Sequence, residues 1–360
     1  MADITASMVK ELREMTGAGM MDCKKALAET NGNMDEAVEV LRKSGAAKAE
    51  KKASRIAAEG ITRVAMDGNK AVVVEVNAET DFVAKNEVFQ EFVQSVADQA
   101  LKSGLAGGKS GEDVDKLLGM NGLQETLVEK TATIGEKLSI RRFETIEADM
   151  VVSYIHGGGR IGVLVGATGA NDDAAKEALT NVAMQVAAMN PQYISSADIS
   201  DAEKAKIKEI TIDSALNDPA SLPKPILNKL IEKALGGKLW SDEDVAIYEE
   251  KKSNMNFLFN FLSDAAKQAL ANLGLEDKAT YVEDKIFKGL VDGRISKHEK
   301  EICLLEQVYV KAEDGKQNVA SYLKSVNPAI NISKIVRFEV GEGMEKKNED
   351  FAAEVAAQLG

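Results

Sequence analysis

The chain has 360 residues, with 45 basic against 58 acidic side chains and a formal charge of −13, and at about 100–200 residues per domain it allows two or three domains, each able to close a core. Its 44% apolar and 29% charged residues mark a soluble globular protein. A sequence pI near 4.9 argues against direct nucleic-acid binding, which needs a basic face to displace counterions.

The opening MADITASMVKELREM lacks the uninterrupted apolar core of a secretory signal. No later apolar run approaches the ~18 residues of a membrane span, so a cytoplasmic location is expected. Cys23 and Cys303 are far apart with no CxxC, which suits free thiols in a reducing compartment. The two histidines, His156 and His298, belong to no HExxH or Cys/His cluster. We therefore expect no metal, no cofactor and no bond chemistry, and a protein that works through its surface.

Residues 1–45 read as three helices. Ile4, Met8, Val9 and Leu12 recur at helical spacing before Thr16-Gly17-Ala18-Gly19 breaks the chain. A second helix covers about Asp22 to Glu29, and a third carries Met34, Ala37, Val38 and Leu41, with Gly45 placed to end it. So small a core needs support from elsewhere. Arg42 to Arg55 then holds six basic residues against one acid, which reads either as a partner- or RNA-facing arm or as a solvated tether.

Residues 60–148 predict an α/β unit. Ile61–Met66 alternates, Asp67-Gly68-Asn69 signals a hairpin, and Ala71–Val76 reads as a buried strand. Helices at about 87–102 and 112–131 precede a third strand, Leu138–Ile146. A degenerate repeat follows: strands at Met150–Ile155 and Arg160–Val165 around the turn His156-Gly157-Gly158-Gly159, then a helix from Ala174 to Met189. Its closing strand lies far downstream, where Ile335-Val336-Arg337-Phe338-Glu339 echoes Ile140-Arg141-Arg142-Phe143-Glu144.

The intervening insertion, about 199–300, is helical by pattern. One apolar face runs from Ile226 to Leu235, a second from Phe257 to Leu273, and a third holds Val282, Ile286, Phe287 and Leu290. A further helix is expected at about Asn348 to Gln358, after a flexible Gly341-Glu342-Gly343.

Three stretches invite a chemical reading. Ser103–Ser110 nearly spells a phosphate-binding loop, but it lacks the first glycine and a preceding strand, so a surface loop is expected. His156-Gly157-Gly158-Gly159 resembles an oxyanion turn, yet no GxSxG accompanies it and a tight turn explains the glycines. The third is Glu75-Val76-Asn77-Ala78-Glu79-Thr80-Asp81-Phe82-Val83, which leaves a buried strand through polar residues and then presents Phe82 and Val83. Either it is a helix cap with Phe82 stapled onto the core, or it is an aromatic wedge on a rigid loop.

Four blocks in chain order carry a family resemblance: LREMTGAGMMDCKKAL from Leu12, EVN and TDFVAK from Glu75 and Thr80, HGGGRIGVL from His156, and RFEVGEG with DFAAEVA from Arg337 and Asp350. On these the chain resembles the bacterial elongation factor Ts family, the guanine-nucleotide exchange factors of elongation factor Tu. The resemblance implies an α+β protein. Residues 1–55 would be a ubiquitin-associated-like (UBA-like) three-helix domain with its basic linker. Residues 56–148 would form one core unit with a small antiparallel sheet, and 149–198 with 301–342 a second. Residues 199–300 would be the long helical insertion and 343–360 a C-terminal helical module.

It also implies a function. The protein would bind GDP-loaded elongation factor Tu, disturb its magnesium site and promote exchange of GDP for GTP, without bond chemistry of its own. Thr80, Asp81, Phe82 and Val83 would form the disturbing element, with Phe82 as wedge and Asp81 holding the register of the loop. Arg13, Met20, Met21 and His156 would be further contacts to the partner. The insertion allows a homodimer; no membrane partner is implied. A holding module that sequesters a translation factor without exchange is the alternative. Two departures stand out: Ala78-Glu79 replaces a frequent cysteine-glutamine, and the insertion exceeds the short dimerisation hairpin of the resembling family, so carry-over is weakest over about 199–285.

Overall fold

The computed structural model describes residues 4–345. It divides into two compact units, one running up to Asn190 and resuming at Ser321, the other spanning Pro191–Ala320.

The first unit opens with three helices, α1 (Ala6–Thr16), α2 (Met20–Glu29) and α3 (Met34–Glu50). Side chains of Thr5 and Asn33 cap α1 and α3 by accepting backbone N–H groups, and Gly17 ends α1 in the left-handed region. Val9, Leu12, Cys23, Ala26, Leu27 and Ala37 form the small core. Contrary to the reading of Gly45 as a terminator, α3 runs on to Glu50. Gly45 is buried mid-helix, where an added Cβ would stand 3.4 Å from that of Ala132. A glycine inside a helix here permits close helix packing rather than a stop.

Strands β1 (Glu59–Asp67) and β2 (Lys70–Ala78) pair antiparallel across a two-residue turn. The helices α4 (Asp81–Ala84), α5 (Glu87–Ser103), α6 (Val114–Leu118) and α7 (Leu123–Ile134) follow, and β3 (Ser139–Glu147) pairs with β2 to complete the order β1-β2-β3. The single helix expected over 112–131 is two, split at Gly119–Gly122, where Asn121 and Gly122 both take positive φ. The repeat follows the same plan. Strands β4 (Met150–His156), β5 (Ile161–Thr168) and, after the second unit, β6 (Asn331–Glu339) make the order β4-β5-β6, with α8 (Asp173–Met189) packed on β4 and β5. Phe143 and Phe338, the echoed aromatics, are each fully buried on the third strand of their sheet.

Strand β2 explains the layering. Val72, Val74 and Val76 face the helix-lined core with Phe89, Phe92 and Val96, whereas Ala71 and Val73 face a second core with Leu164, Val336 and Phe338. The two sheets thus stack directly, helix layers outside. Gly162 makes the close approach possible, since a Cβ there would lie 2.8 Å from Thr62 Oγ1 and Val73 Cγ2. Glu75 is fully buried among these valines. Its carboxylate accepts from Arg142 Nε (2.6 Å), Arg141 Nη1 (2.9 Å) and the backbone N–H of Gly341 (2.9 Å). That last bond, with Gly341 buried at φ +72, anchors a segment expected to be flexible.

The second unit is helical: α9 (Asp201–Asn217), α10 (Lys224–Gly236), α11 (Asp242–Lys251), α12 (Asp264–Glu276), α13 (Lys278–Glu283) and α14 (Lys285–Ile302). Leu216, Ile226, Leu230, Trp240, Leu258, Leu270 and Phe287 lead its core. Two expected apolar faces are interrupted. Met255–Asn260 is a 3₁₀ segment, and α12 starts only after the Ser263 cap, which leaves Phe257 and Phe261 exposed. Asp284 caps α14, so Val282 belongs to α13. Helix α15 (Val319–Val326) leads into β6. The helix expected at Asn348–Gln358 lies outside the described residues. Among the described residues no helix is long and apolar enough to cross a membrane.

Candidate functional site

At the end of β2 the chain turns out of the sheet and forms α4, a single turn of four residues. Thr80 is its N-cap: the threonine Oγ1 accepts the N–H of Val83 at 3.4 Å. Two residues beyond the end of α4, Asn86 caps α5, its Oδ1 accepting from Val88 (2.9 Å) and Phe89 (3.3 Å). Between these caps the side chains diverge. Val83 is 8% exposed and joins the core beneath the sheet, whereas Phe82 is 80% exposed. The staple is therefore made by Val83, and the reading in which Phe82 folds back is overturned. They are consecutive, and the roughly 100° of helical rotation per residue puts them on different sides.

Asp81 is exposed and pairs with Lys85, one turn on, at 2.7 Å. The hydrogen bond from Lys85 holds the Asp81 carboxyl below its ordinary value, and the Lys85 ammonium also lies 6.0 Å from the centre of the Phe82 ring. Lys85 thus flanks the ring, which the described residues leave largely open.

Two sets of contacts from outside hold α4. Before it, the Glu136 carboxylate accepts the N–H of Glu79 and of Thr80, both at 3.0 Å, and the Thr80 hydroxyl at 2.7 Å. Glu79 reciprocates by accepting the N–H of Lys137 at 2.6 Å, and it pairs with Arg55 at 3.2 Å. After it, Gln90 Nε2 donates to the carbonyl of Ala84 at 3.1 Å, while Gln90 Oε1 accepts from Arg63 at 3.1 Å.

Arg63 and its neighbour lead to the glycine turn. Arg63 also donates to the Thr62 carbonyl, and the Thr62 hydroxyl donates to the carbonyl of Gly159 at 2.9 Å. Gly159 sits at φ +110, where a Cβ would lie 2.9 Å from an Arg63 nitrogen. The turn therefore rests on β1, with glycine favoured at this position by its backbone angle. His156, exposed at the head of that turn, shares a 3.1 Å hydrogen bond with Tyr154.

Arg13, Met20 and Met21 lie on α1 and α2, all exposed, with Met20 at 60% and Met21 at 65%. The contacts that hold α4 involve none of them. The structure thus gathers Thr80, Asp81, Phe82 and Val83 on one turn and links it through Gln90, Arg63 and Thr62 to the turn bearing His156. Glu136, Gln90 and Arg63 escape sequence reading because they reach α4 from elsewhere in the chain, and no spacing rule marks them. Among the described residues no group of three or more His, Cys, Asp or Glu side chains is placed to hold a metal ion.

Comparison with known proteins adds independent findings. A family model described as Elongation factor TS matches residues 79–251 and 260–342. The elongation factor Ts of Clostridioides difficile (strain 630) is 43% identical, with all of both chains covered. That of Clostridium perfringens (strain ATCC 13124) is 43% identical over 99% of each chain. That of Lactobacillus delbrueckii subsp. bulgaricus (strain ATCC BAA-365) is 42% identical over all of this chain and 99% of its own. These alignments run through the helical insertion.

Proposed function

The chain belongs to the elongation factor Ts family and so has a role in translation elongation, and from that premise we propose that it promotes exchange of GDP for GTP on elongation factor Tu, with Phe82 as the working side chain. The single observation that carries this reading is the exposure of that ring, 80% in the open on a turn whose neighbours are tied down. An uncovered phenylalanine on a fixed mount loses little freedom on docking and gains the full value of desolvation, which is the profile of an interface anchor.

The mechanism is linkage. Magnesium in the partner would help hold the nucleotide there, and disturbing its site would loosen the grip on GDP. Phe82 enters an apolar crevice beside that site; Asp81 meets hydrogen-bond donors at its mouth, and Thr80 and Val83 keep the turn in register. Arg13, Met20 and Met21 on the UBA-like helical domain (1–55) and His156 on the second core unit supply further contact area. The factor must favour the nucleotide-free partner, and by reciprocity returning nucleotide then weakens the factor's own hold. Binding both states equally would shift nothing. No covalent bond is made or broken on this chain in such a cycle. The helical insertion takes the role of a contact to a second copy.

Turnover provides the test. Elongation factor Tu loaded with fluorescent GDP, given one-twentieth its amount of this protein and excess GTP, is expected to lose all its label. Release that stops after one equivalent per molecule of factor describes a holding protein and rejects exchange.

A further inference from the structure

A helix of four residues cannot hold itself together, because forming the first turn fixes several residues in return for a single hydrogen bond. The direction of the Phe82 ring must therefore be imposed from outside α4. Val83 pins one side of the turn to the core. Its two ends are held by side chains that nothing so far has given a function.

The stronger hold is at the N-terminal end. One carboxylate, that of Glu136, takes three hydrogen bonds from two consecutive residues: Glu79 N–H, Thr80 N–H and the Thr80 hydroxyl. The third bond decides how the cap works. A hydroxyl that gives its proton to Glu136 turns its lone pairs to the N–H of Val83, so the carboxylate orients the cap as well as anchoring the strand exit. All three bonds are charge-assisted. Glu136 in turn follows Gly135, whose φ of +89 ends α7, and the neighbouring Lys137 N–H is received by Glu79, so the two segments cross-brace each other. At the C-terminal end Gln90 bridges the Ala84 carbonyl to Arg63.

Resting on the wedge reading above, we infer that Glu136 is a positioning residue for nucleotide exchange: its carboxylate fixes α4 so that Phe82 meets the partner already aimed. Gln90 does the same from the other end. Because the polar groups of both are taken up within this chain, their loss leaves binding through the other surfaces intact and slows the step the ring performs.

The experiment is a stopped-flow cycle on the full chain with elongation factor Tu and fluorescent GDP, comparing Glu136→Ala, Glu136→Gln, Gln90→Leu, Phe82→Ala and the Phe82→Ala/Glu136→Ala double variant. Glu136→Ala is expected to lower the release rate at saturating factor by on the order of ten- to a hundredfold, the scale of a misplaced contact group. The half-saturating concentration should move less than about threefold, well inside the span of one lost contact. Glu136→Gln keeps an oxygen for the two N–H groups but sets an amide donor against the Thr80 hydroxyl, so it should recover only part of the rate, and Gln90→Leu should slow release less than Glu136→Ala. In the double variant the Glu136 change should cost nothing beyond Phe82→Ala, since it acts through that ring. Backbone amide exchange at 79–84 should quicken in Glu136→Ala while residues 72–76 keep their protection, which separates loosening of the turn from unfolding. A wild-type rate for Glu136→Ala beside a slow Phe82→Ala overturns the positioning role and spares the wedge, as does an additive double variant. A wild-type rate for Phe82→Ala removes both.

Discussion

Phe82 and Val83 are adjacent apolar residues with opposite fates, and the contrast can be measured. Truncating Val83 to Ala removes buried methyl groups from a packed core and should cost about 2 kcal/mol in thermal or urea unfolding. Phe82→Ala, by comparison, should leave the midpoint of unfolding unchanged, because the ring covers nothing. A Phe82 variant that melts as early as the Val83 variant would place the ring in the core after all. The cysteines make a second test at this scale. Burial pushes the Cys303 thiol up to about 11 and raises Cys23 as well. Neither should react with a thiol reagent at neutral pH until the chain unfolds. Since an unfolded cysteine titrates near 9.0, the Cys303 contribution to stability is full below that pH and drains away as pH rises towards about 11. Sequence alone left the Phe82–Val83 segment with two readings. Helical rotation decides between them, and the rotation depends on where the Thr80 cap starts the turn.

At the level of elements, the strands were legible because each shows alternation or a dense β-branched run bounded by turn residues. Among the described residues the six expected strands are the six observed, and the echo between Ile140–Glu144 and Ile335–Glu339 marks the third strand of each sheet. Breaks within helices were not legible. The apolar pattern runs unbroken through Phe257–Leu273, yet Ser263 caps α12, and its N–H and hydroxyl also bond Asp244 at 2.8 Å each. That distant acid is what fixes the break. Glu75 was equally silent: an acid in a valine strand reads as noise until Arg141 and Arg142 arrive from β3. Removing one side of such a cluster strands buried charge, so Glu75→Ala should destabilise by about 3–5 kcal/mol in urea unfolding. Gly162→Ala, which drives a methyl into Thr62 and Val73, should cost about 1–3 kcal/mol through overpacking. A Gly162 variant as stable as wild type would mean that the sheets are not stacked this closely.

Taken whole, the chain divides into two compact units, and its single tryptophan reports on one of them. Trp240 is buried in the helical unit, its indole N–H donating to the Ala266 carbonyl at 3.1 Å. Unfolding followed by tryptophan fluorescence should therefore depart from unfolding followed by circular dichroism, which sees every helix and strand. Coincident curves would show one cooperative molecule instead. If the insertion holds two copies together, deleting residues 199–285 should turn a dimer into a single shortened chain in light scattering while exchange continues; a mass of two shortened chains would end that role. Exchange itself turns on one ring. The most direct measurement is stopped-flow release of fluorescent GDP from elongation factor Tu, comparing Phe82→Ala with the unaltered chain at saturating concentration. Loss of an anchor worth about 2 kcal/mol or more should slow release by about thirtyfold or more with the fold intact. Release at the unaltered rate would contradict the account at its centre.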